Sequence, residues 1–305
     1  MMVAALPGRR AMHARAVVAT ARAGGQTILP VLRSAPPLTL RQTGPHTVHL
    51  VSTAAGPLGG DRFELELDVA PHTRLEVGSI AGTLVLPGRG ESLSVITARV
   101  GEGATLSFAP EPTVLAAGCS HRMVVLLSLA EGARVRWREE IVFGRYGEAP
   151  GRCHARFDAT VEGRPLLRQE FAVGDPAFDS SPAVYGSARC VGTLFLAAPP
   201  LPPSAPPPAG AEAPPSGKAP PPARGEAPPS EEALPPARGE ALLLTRGEVP
   251  PGHREGVGPP RGNAVVGEGV AVLPLAGPGT LVSALAADAV ELRRRLEWGE
   301  AQATW

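Results

Sequence analysis

Residues 63–69 alternate between apolar and acidic side chains: Phe, Leu, Leu and Val occupy the odd positions, and Glu, Glu and Asp the even ones. Since successive side chains of a β-strand point to opposite faces, this pattern predicts a half-buried strand of the antiparallel kind. A turn with three glycines and one proline, residues 56–62, leads into the strand and indicates unusual backbone angles. Asp61 lies in this turn, where a carboxylate and exposed backbone donors can meet a ligand.

A repeat of about 30 residues follows this strand. Residues 69–77, 100–108 and 129–137 share one pattern, in which an apolar strand ends, a four-residue turn follows, and a second strand alternates Leu or Val with polar residues. Their starts lie 31 and 29 residues apart. Such a unit cannot bury its own apolar face and must stack on its neighbours. We therefore predict a mostly β fold of stacked antiparallel hairpins, as a solenoid or a sandwich, with a looser fourth hairpin over residues 155–173.

Leucines recur at helical spacing near the C-terminus, which predicts one or two helices packed on the β-body. Glu291 precedes Arg295 by four positions, as in a helical ion pair, and Gly299 is placed to end the helix. The four leucines are Leu281, Leu285, Leu292 and Leu296.

Residues 199–262 differ sharply in composition from the rest of the chain. They hold 20 of the 36 prolines, and the segment Pro-Pro-Ala-Arg-Gly-Glu-Ala occurs at 221–227 and again at 235–241. A segment of this kind buries too little apolar surface to offset its ordering entropy. We predict a β-rich body over residues 1–198, a disordered insertion over 199–262, and a C-terminal segment, 263–305, that completes the same domain.

Charge and cysteine content narrow the function classes. The 29 basic and 29 acidic residues balance, which gives no reason to expect nucleic acid or an anionic membrane as a partner. The three cysteines have no Cys-x-x-Cys spacing and fit a reducing compartment. No run approaches the 18 apolar residues of a membrane helix, and Arg15 interrupts any signal-like stretch after Arg9 and Arg10. The expected location is the cytoplasm.

Familiar catalytic motifs do not occur in the sequence. Neither the phosphate-binding loop of nucleoside triphosphatases, Gly-x-x-x-x-Gly-Lys-[Ser/Thr], nor the Gly-x-Ser-x-Gly elbow of hydrolases is found. Glu139 and Glu140 cannot act as an acid–base pair, since neighbours on a strand point to opposite faces. The same argument separates His46 from His49 on a strand, and we expect surface or interface roles for the remaining histidines. The residues alone favour a binding or assembly protein over an enzyme.

Several segments, in their order and spacing, resemble the urease accessory protein family UreD, also called UreH. The similarity spans residues 14–173 and resumes at 273–278. The segments that carry it are Gly-Pro-Leu-Gly-Gly-Asp at 56–61, Phe-Ala-Pro-Glu-Pro at 108–112, Ala-Gly at 117–118, Trp-Arg-Glu-Glu-Ile-Val-Phe-Gly-Arg at 137–145 and Gly-Arg-Pro-Leu-Leu at 163–167.

The resemblance implies a cytoplasmic maturation factor and not an enzyme, with no tightly bound cofactor and only transient nickel. Members of the family hold apo-urease, bind the accessory protein UreF, and through it engage the GTPase UreG, which supplies nickel. The acids thought to line the family's nickel path match Asp61 and Glu139. Five further positions are expected to serve partner binding or structure: Gly59, Gly60, Ser79, Thr83 and Arg145. Ser79 belongs to a Gly-Ser pair that stands where most members of the family have Thr-Thr.

The sequence departs from the family pattern at two positions, where Leu84 replaces a lysine and Leu86 a tyrosine. Together with the apolar run 123–127, this departure predicts poor solubility of the chain alone. Two alternatives stay open: a β-solenoid carbohydrate-active enzyme that uses Asp61 or Glu139, and a generic β-rich interaction scaffold. Aromatic residues make up only 4% of the chain, which offers few platforms for a sugar.

Overall fold

The computed structural model describes residues 10–198 and 263–303, and these residues are mostly β-strand. The predicted disordered insertion, 199–262, lies outside the described residues. The strands of the described part are β1 (His13–Ala23), β2 (Gln26–Arg33), β3 (Leu38–Gln42), β4 (Thr47–Ser52), β5 (Arg62–Val69), β6 (Arg74–Ser79), β7 (Thr83–Val85), β8 (Ser92–Val100), β9 (Thr105–Phe108), β10 (Thr113–Leu115), β11 (Ser120–Leu129), β12 (Arg134–Val142), β13 (Arg152–Val161), β14 (Arg164–Val173), β15 (Cys190–Ala197), β16 (Val265–Gly267), β17 (Val270–Pro274) and β18 (Thr280–Ala286). The helices are α1 (Pro176–Asp179) and α2 (Ala289–Gln302).

Two sheets stack face to face and form a solenoid-like body. The first sheet has the order β14-β13-β11-β8-β5-β1-β2, and the second β16-β17-β18-β15-β12-β9-β6-β4-β3. The short strand β10 joins the second sheet beside β12 and pairs in turn with β7. This architecture, with its C-terminal helix, confirms the predicted fold class.

The register of the sheets reproduces the sequence repeat. Arg62 on β5 pairs with Leu93 on β8, 31 positions later, and Ser92 pairs with His121 on β11, 29 positions later. The same two offsets recur in the second sheet, where Thr105 pairs with Arg74 on one side and Arg134 on the other. The repeat unit inferred from the sequence is thus one layer of the body.

The pairing within each unit corrects the expected antiparallel hairpins. β5 pairs with β8 in parallel, and its successor β6 lies in the other sheet, where it pairs in parallel with β9. Each turn therefore carries the chain from one sheet to the other. Each of the two strands of a repeat unit hydrogen-bonds to the equivalent strand of the next unit. Of the four predicted hairpins, only the fourth, β13 and β14, is an antiparallel pair of consecutive strands within one sheet, as expected.

The main core lies between the two sheets and is built from inward residues of successive units. Phe108 on β9 pairs with Val77 on one side and with Trp137 on the other, so that equivalent side chains stack. The Phe108 and Trp137 rings lie 4.1 Å apart and nearly parallel, and Phe157 meets Trp137 edge-on. The packing of these large rings stabilises the contact between the sheets.

The C-terminal segment extends the second sheet and covers its outer face. β18 pairs with β15, so residues on both sides of 199–262 contribute to one sheet. The helix α2 begins after Asp288, whose carboxylate accepts from the Glu291 backbone N–H at 2.8 Å. Leu292 and Leu296 are buried against β15, which is itself buried along its whole length.

Two details of the predicted C-terminal helix are different in the structure, and a third is confirmed. Leu281 and Leu285 belong to the strand β18, since the helix begins only at Ala289. Gly299 lies inside the helix, and a side chain there would overlap Val282. Its role is therefore close helix–sheet packing and not helix termination. The predicted pair of Glu291 and Arg295 does form, with an Nε–Oε1 distance of 3.0 Å.

Candidate functional site

A chamber of about 220 Å³ lies between the two sheets. Inward side chains of β5, β8 and β11 form one wall, and those of β6, β9 and β12 the other. The residues 80–83 border it and are exposed, so the chamber opens to solvent at that loop. Most of the lining is apolar, and its polar groups include Ser79, Ser94, Glu111, His121, Glu139 and Glu140.

Glu139 and Glu140 point to opposite sides of the second sheet. Glu139 shares the inward face of β12 with Trp137, while the Glu140 carboxylate is fully buried on the other face. There Glu140 binds Arg293 of α2, with an Nη2–Oε2 distance of 2.7 Å. Glu139 and Glu140 thus lie on opposite faces of β12, as strand geometry predicts, but both of them, together with Glu111, are among the residues that line the chamber.

The environment of Glu139 favours its neutral form. Removal of the carboxyl group from water raises its pKa to about 7, and the nearby indole of Trp137 opposes this rise only in part. Among the described residues, the buried Nε1 of Trp137 has no hydrogen-bond partner. At neutral pH the chamber therefore contains a carboxyl group that gains or loses a proton easily.

Asp61 anchors the glycine-rich turn. Its Oδ2 accepts from the Leu58 backbone N–H at 2.9 Å and its Oδ1 from that of Met12 at 2.8 Å, and the residue is only 1% exposed. Gly56 and Pro57 of the same turn line the chamber, whereas Asp61 is not among the lining residues. The carboxylate thus holds one border of the chamber in place.

The two central glycines of this turn permit a backbone contact with the loop before β8. A Cβ at Gly59 would lie 2.6 Å from the backbone of Gly88 and of Gly90. Gly60 has φ +91°, in the region that favours glycine, and its N–H donates to the Glu91 carbonyl at 3.2 Å. These glycines are therefore needed for structure at the chamber border.

Ser79 and Thr83 shape the opening of the chamber. The Ser79 hydroxyl donates to the Ala81 carbonyl and accepts from the Glu111 backbone N–H, both at 2.9 Å. Thr83 donates its backbone N–H to Pro112 and pairs with Thr113. The segments 79–83 and 109–113 are thus joined side by side, and both contribute lining residues.

His121 is a chamber residue that the sequence reasoning missed, and the expected surface role is wrong for it. It is 2% exposed, lines the chamber and contacts Ser92 Oγ through Nδ1 at 2.8 Å. Burial lowers its pKa to about 4, so the ring is neutral at pH 7. The sequence did contain a signal for this position. His121 lies an even number of residues before the buried Val125 and Leu127, so all three side chains point to the same face of β11.

Burial keeps the thiols of the three cysteines protonated at neutral pH. All three are buried and unpaired, and burial raises the pKa of Cys119 to about 11, of Cys153 to about 12 and of Cys190 to about 11. Within residues 10–198 and 263–303, no group of three or more His, Cys, Asp or Glu side chains is arranged to hold a metal.

Arg145 lies in a separate surface turn. It forms an ion pair with Glu148, whose carboxylate also accepts from the Ala117 backbone N–H at 3.4 Å. This pair lowers the pKa of Glu148 to about 2. Of the residues singled out in the sequence, the chamber brings Glu139, Ser79 and Thr83 together, the turn with Asp61, Gly59 and Gly60 borders it, and Arg145 is not among its lining residues.

Comparison with known proteins identifies the family. A family profile described as UreD urease accessory protein matches residues 12–303. This chain belongs to the UreD family. A urease accessory protein UreD from Frankia casuarinae is 39% identical over 340 aligned positions, which cover 100% of this chain and 93% of the relative. Those of a Parafrankia species and of Streptomyces coelicolor are 38% and 34% identical and cover 96% and 92% of the chain.

UreD membership confirms the resemblance seen in the sequence and assigns the chain to the accessory proteins of urease maturation. The alignments cover 89% of the Parafrankia relative and 92% of the Streptomyces coelicolor relative, so the match extends over nearly whole UreD proteins. No helix in the described part of the chain has the length and apolar character needed to cross a membrane.

Proposed function

We propose that this UreD protein is a nickel-insertion chaperone that binds apo-urease and passes nickel toward the urease active site. The observation that carries the proposal is the chamber between the sheets, with the carboxyl group of Glu139 on its wall. A delivery protein needs ligands that bind nickel weakly enough to release it, and oxygen donors meet this need better than thiolates. Burial keeps the cysteine thiols protonated, so the carboxyl groups on the chamber wall are the better candidates for weak and reversible binding.

In this proposal the protein works with partners and not as an enzyme. It binds a UreF-type accessory protein, and through it a UreG-type GTPase supplies the nickel. The absence of a phosphate-binding loop from the sequence supports this division of labour, since nucleotide hydrolysis then belongs to the partner. Neither nucleic acid nor a membrane has a role, and the complex acts in the cytoplasm. GTP turnover by the purified chain alone is expected to equal the buffer blank.

Asp61 and Glu139 have different roles in the proposal. Glu139 is the candidate ligand for the passing ion, because it lines the chamber. Asp61 keeps the adjoining turn in position through its two backbone hydrogen bonds, and it contacts nickel only if the turn opens. Experiments on variants of the two residues can therefore distinguish the role of Asp61 from that of Glu139.

Urease activation in cells tests the proposal. Urease subunits are co-expressed with the other accessory proteins and with wild-type chain, no chain, Glu139→Gln, or Glu268→Gln as control, since the Glu268 side chain is 97% exposed. We expect activation to require the chain, to fall strongly with Glu139→Gln and to be unchanged with Glu268→Gln. Full activation without the chain contradicts the chaperone function, whereas full activation by Glu139→Gln contradicts only the carboxylate path.

A further inference from the structure

The outer face of the first sheet carries an apolar stripe along two neighbouring strands in the middle of the sheet. Outward side chains of β8 and β11 form it, and we call these four residues the outer stripe: Leu93, Val95, Val124 and Leu126. Val124 pairs with Val95, so their side chains lie next to each other, and Leu126 is 41% exposed. The helix α2 packs on strands of the second sheet and gives the stripe no cover.

Charged strands flank the outer stripe on both sides. On β5, Glu64 is the neighbour of Val95. On β13, Arg156 is the neighbour of Val124, and Arg122 lies beside the stripe on β11. A molecule that covers the stripe therefore meets an acidic side chain over β5 and arginines over β11 and β13.

A hollow lies over β11 and β13, at the side of the stripe that carries the arginines. It has an apolar floor with basic and acidic side chains around it, and its lining residues are Arg122, Val124, Leu126, His154, Arg156 and Glu170. The two arginine side chains are 47% and 42% exposed, and their ion pairs with Glu91 and Asp158 do not use all five N–H donors of either guanidinium. The hollow therefore fits an apolar side chain with carboxylates next to it.

The outer face is large enough for a stable protein complex. The six adjacent strands from β14 to β1 have 8 to 11 residues each. With about 3.3 Å per residue and about 4.8 Å between strands, they span roughly 30 Å by roughly 25 Å. The resulting area of about 750 Å² is close to the area of about 800 Å² that each partner buries in a complex of standard size.

We propose that the outer stripe is the docking surface for the UreF-type accessory protein, which covers it with an apolar side chain flanked by carboxylates. This inference rests on the proposed function, in which that protein is the direct partner of the chain. It is also the partner expected to keep the chain soluble, and covering the stripe removes an exposed apolar surface. Because the stripe lies on the side of the first sheet that faces away from the chamber, the docked side chains do not enter the chamber.

Capture by a tagged UreF-type protein, co-expressed with the full chain, tests the surface. Leu126→Lys places a charge on the stripe, and we expect at least about tenfold less capture per amount of soluble chain. Arg156→Glu reverses a charge in the hollow and is expected to lower capture about tenfold, whereas Arg156→Lys keeps the charge and loses less. Capture of the wild type is expected to fall as salt is raised, because part of the attraction is between charges.

Two surface variants away from the stripe are the matched controls. Val266→Lys introduces the same charge at a 77% exposed valine on the edge of the second sheet, and Arg294→Glu reverses a 70% exposed arginine on α2. We expect both to be captured like the wild type. The soluble yield of Leu126→Lys expressed alone separates docking from folding, since a docking variant loses capture but keeps its yield. If this variant loses both, Arg156→Glu decides.

Wild-type capture of soluble Leu126→Lys and Arg156→Glu overturns the docking surface, and so does an equal loss of capture in Val266→Lys. A parallel capture with tagged apo-urease tests the choice of partner. Variants that lose only the binding to apo-urease overturn the assignment to the UreF-type protein. Should urease activation still require the chain in any of these cases, the chaperone function stands and only the docking surface fails.

Discussion

Arg293 on the C-terminal helix donates to the carboxylate of Glu140 on β12, with an Nη2–Oε2 distance of 2.7 Å. The same guanidinium reaches Glu111 at 3.1 Å, and Glu111 lines the chamber opening. The helix is thus joined through one side chain to the strand that carries Glu139 and to the opening of the chamber. Because Glu140 is fully buried, the strength of this link depends on Arg293.

Arg293→Met is expected to destabilise the fold by about 3 kcal/mol, because a buried carboxylate loses its main ionic partner. Arg138, 3.7 Å away, compensates only in part. Chemical denaturation of the purified protein measures the loss. Arg294→Met is the control, since that side chain is 70% exposed and its ion pair with Glu291 lies on the surface. We expect a change of less than about 0.5 kcal/mol there, and equal losses in the two variants contradict the buried link.

Glu139→Gln is expected to stabilise the protein at pH 8 while it impairs nickel transfer. The pKa of Glu139 is raised from 4.5 to about 7 in the fold, so the unfolded chain loses this proton at lower pH than the folded chain does. The group's stabilising contribution is therefore present below pH 4.5 and is lost as pH rises through 7. Glutamine stays neutral, and the variant should gain about 3 kcal/mol over the wild type at pH 8, which is the free-energy equivalent of the rise in pKa from 4.5 to about 7.

Melting curves between pH 5 and pH 8 check the Glu139 prediction through the difference between variant and wild type, which should grow with pH. The comparison has to be a difference, because His121 acts in the opposite direction. Its pKa is lowered to about 4, so its contribution to stability is present above pH 6.5 and is lost as pH falls toward 4. A difference that is constant with pH means that Glu139 titrates normally.

Asp61→Ala is expected to cost about 3 kcal/mol, because two backbone N–H groups at the chamber border lose a charged acceptor. Asp61→Asn should cost less, since its amide oxygen still accepts one of these bonds. Asp68→Ala, on the exposed face of β5, is the control with a negligible expected effect. If Asp61→Ala keeps the wild-type melting temperature but loses urease activation, Asp61 acts on nickel and not on the turn.

The register and inward faces of the repeat were accessible from sequence, whereas the pairing was not. Period-two alternation and the spacings of 31 and 29 residues define which positions are equivalent, and the structure pairs those positions. The alternation does not tell whether a strand hydrogen-bonds to the other strand of its own repeat unit or to the equivalent strand of the next unit. Leu281 and Leu285 show a second ambiguity, because residues four apart share a face in a strand as well as in a helix.

For a related reason, the candidate site could be predicted from the sequence only in part. Glu139 follows from the family resemblance, whereas strand geometry alone shows only that Glu139 and Glu140 point to opposite faces; the structure places Glu139 on the chamber wall. His121 points to the same face of its strand as its buried neighbours, but a single histidine forms no sequence motif that would mark it as a site residue. Its bond to Ser92 joins residues 29 positions apart and exists only because parallel pairing brings them together.

The apolar run 123–127 divides between two faces, which refines the expected poor solubility. Met123, Val125 and Leu127 point inward, whereas Val124 and Leu126 lie on the outer face of the first sheet, with Leu126 41% exposed. Exposed apolar residues on a wide sheet favour aggregation of a lone chain. We expect low soluble yield for the chain alone and rescue by co-expression with a UreF-type partner.

Leu126→Lys is expected to raise the soluble yield of the chain expressed without a partner, because it places a charge within this outer apolar surface. Val266→Lys is the matched comparison, since Val266 is 77% exposed but lies on the edge strand β16 of the other sheet. Soluble fractions from parallel expressions, followed by size-exclusion chromatography, measure both effects. If Val266→Lys alone restores solubility, the aggregating surface is the edge of the second sheet. A wild-type chain that is soluble, monomeric and indifferent to a UreF-type partner in a pull-down contradicts the dependence itself.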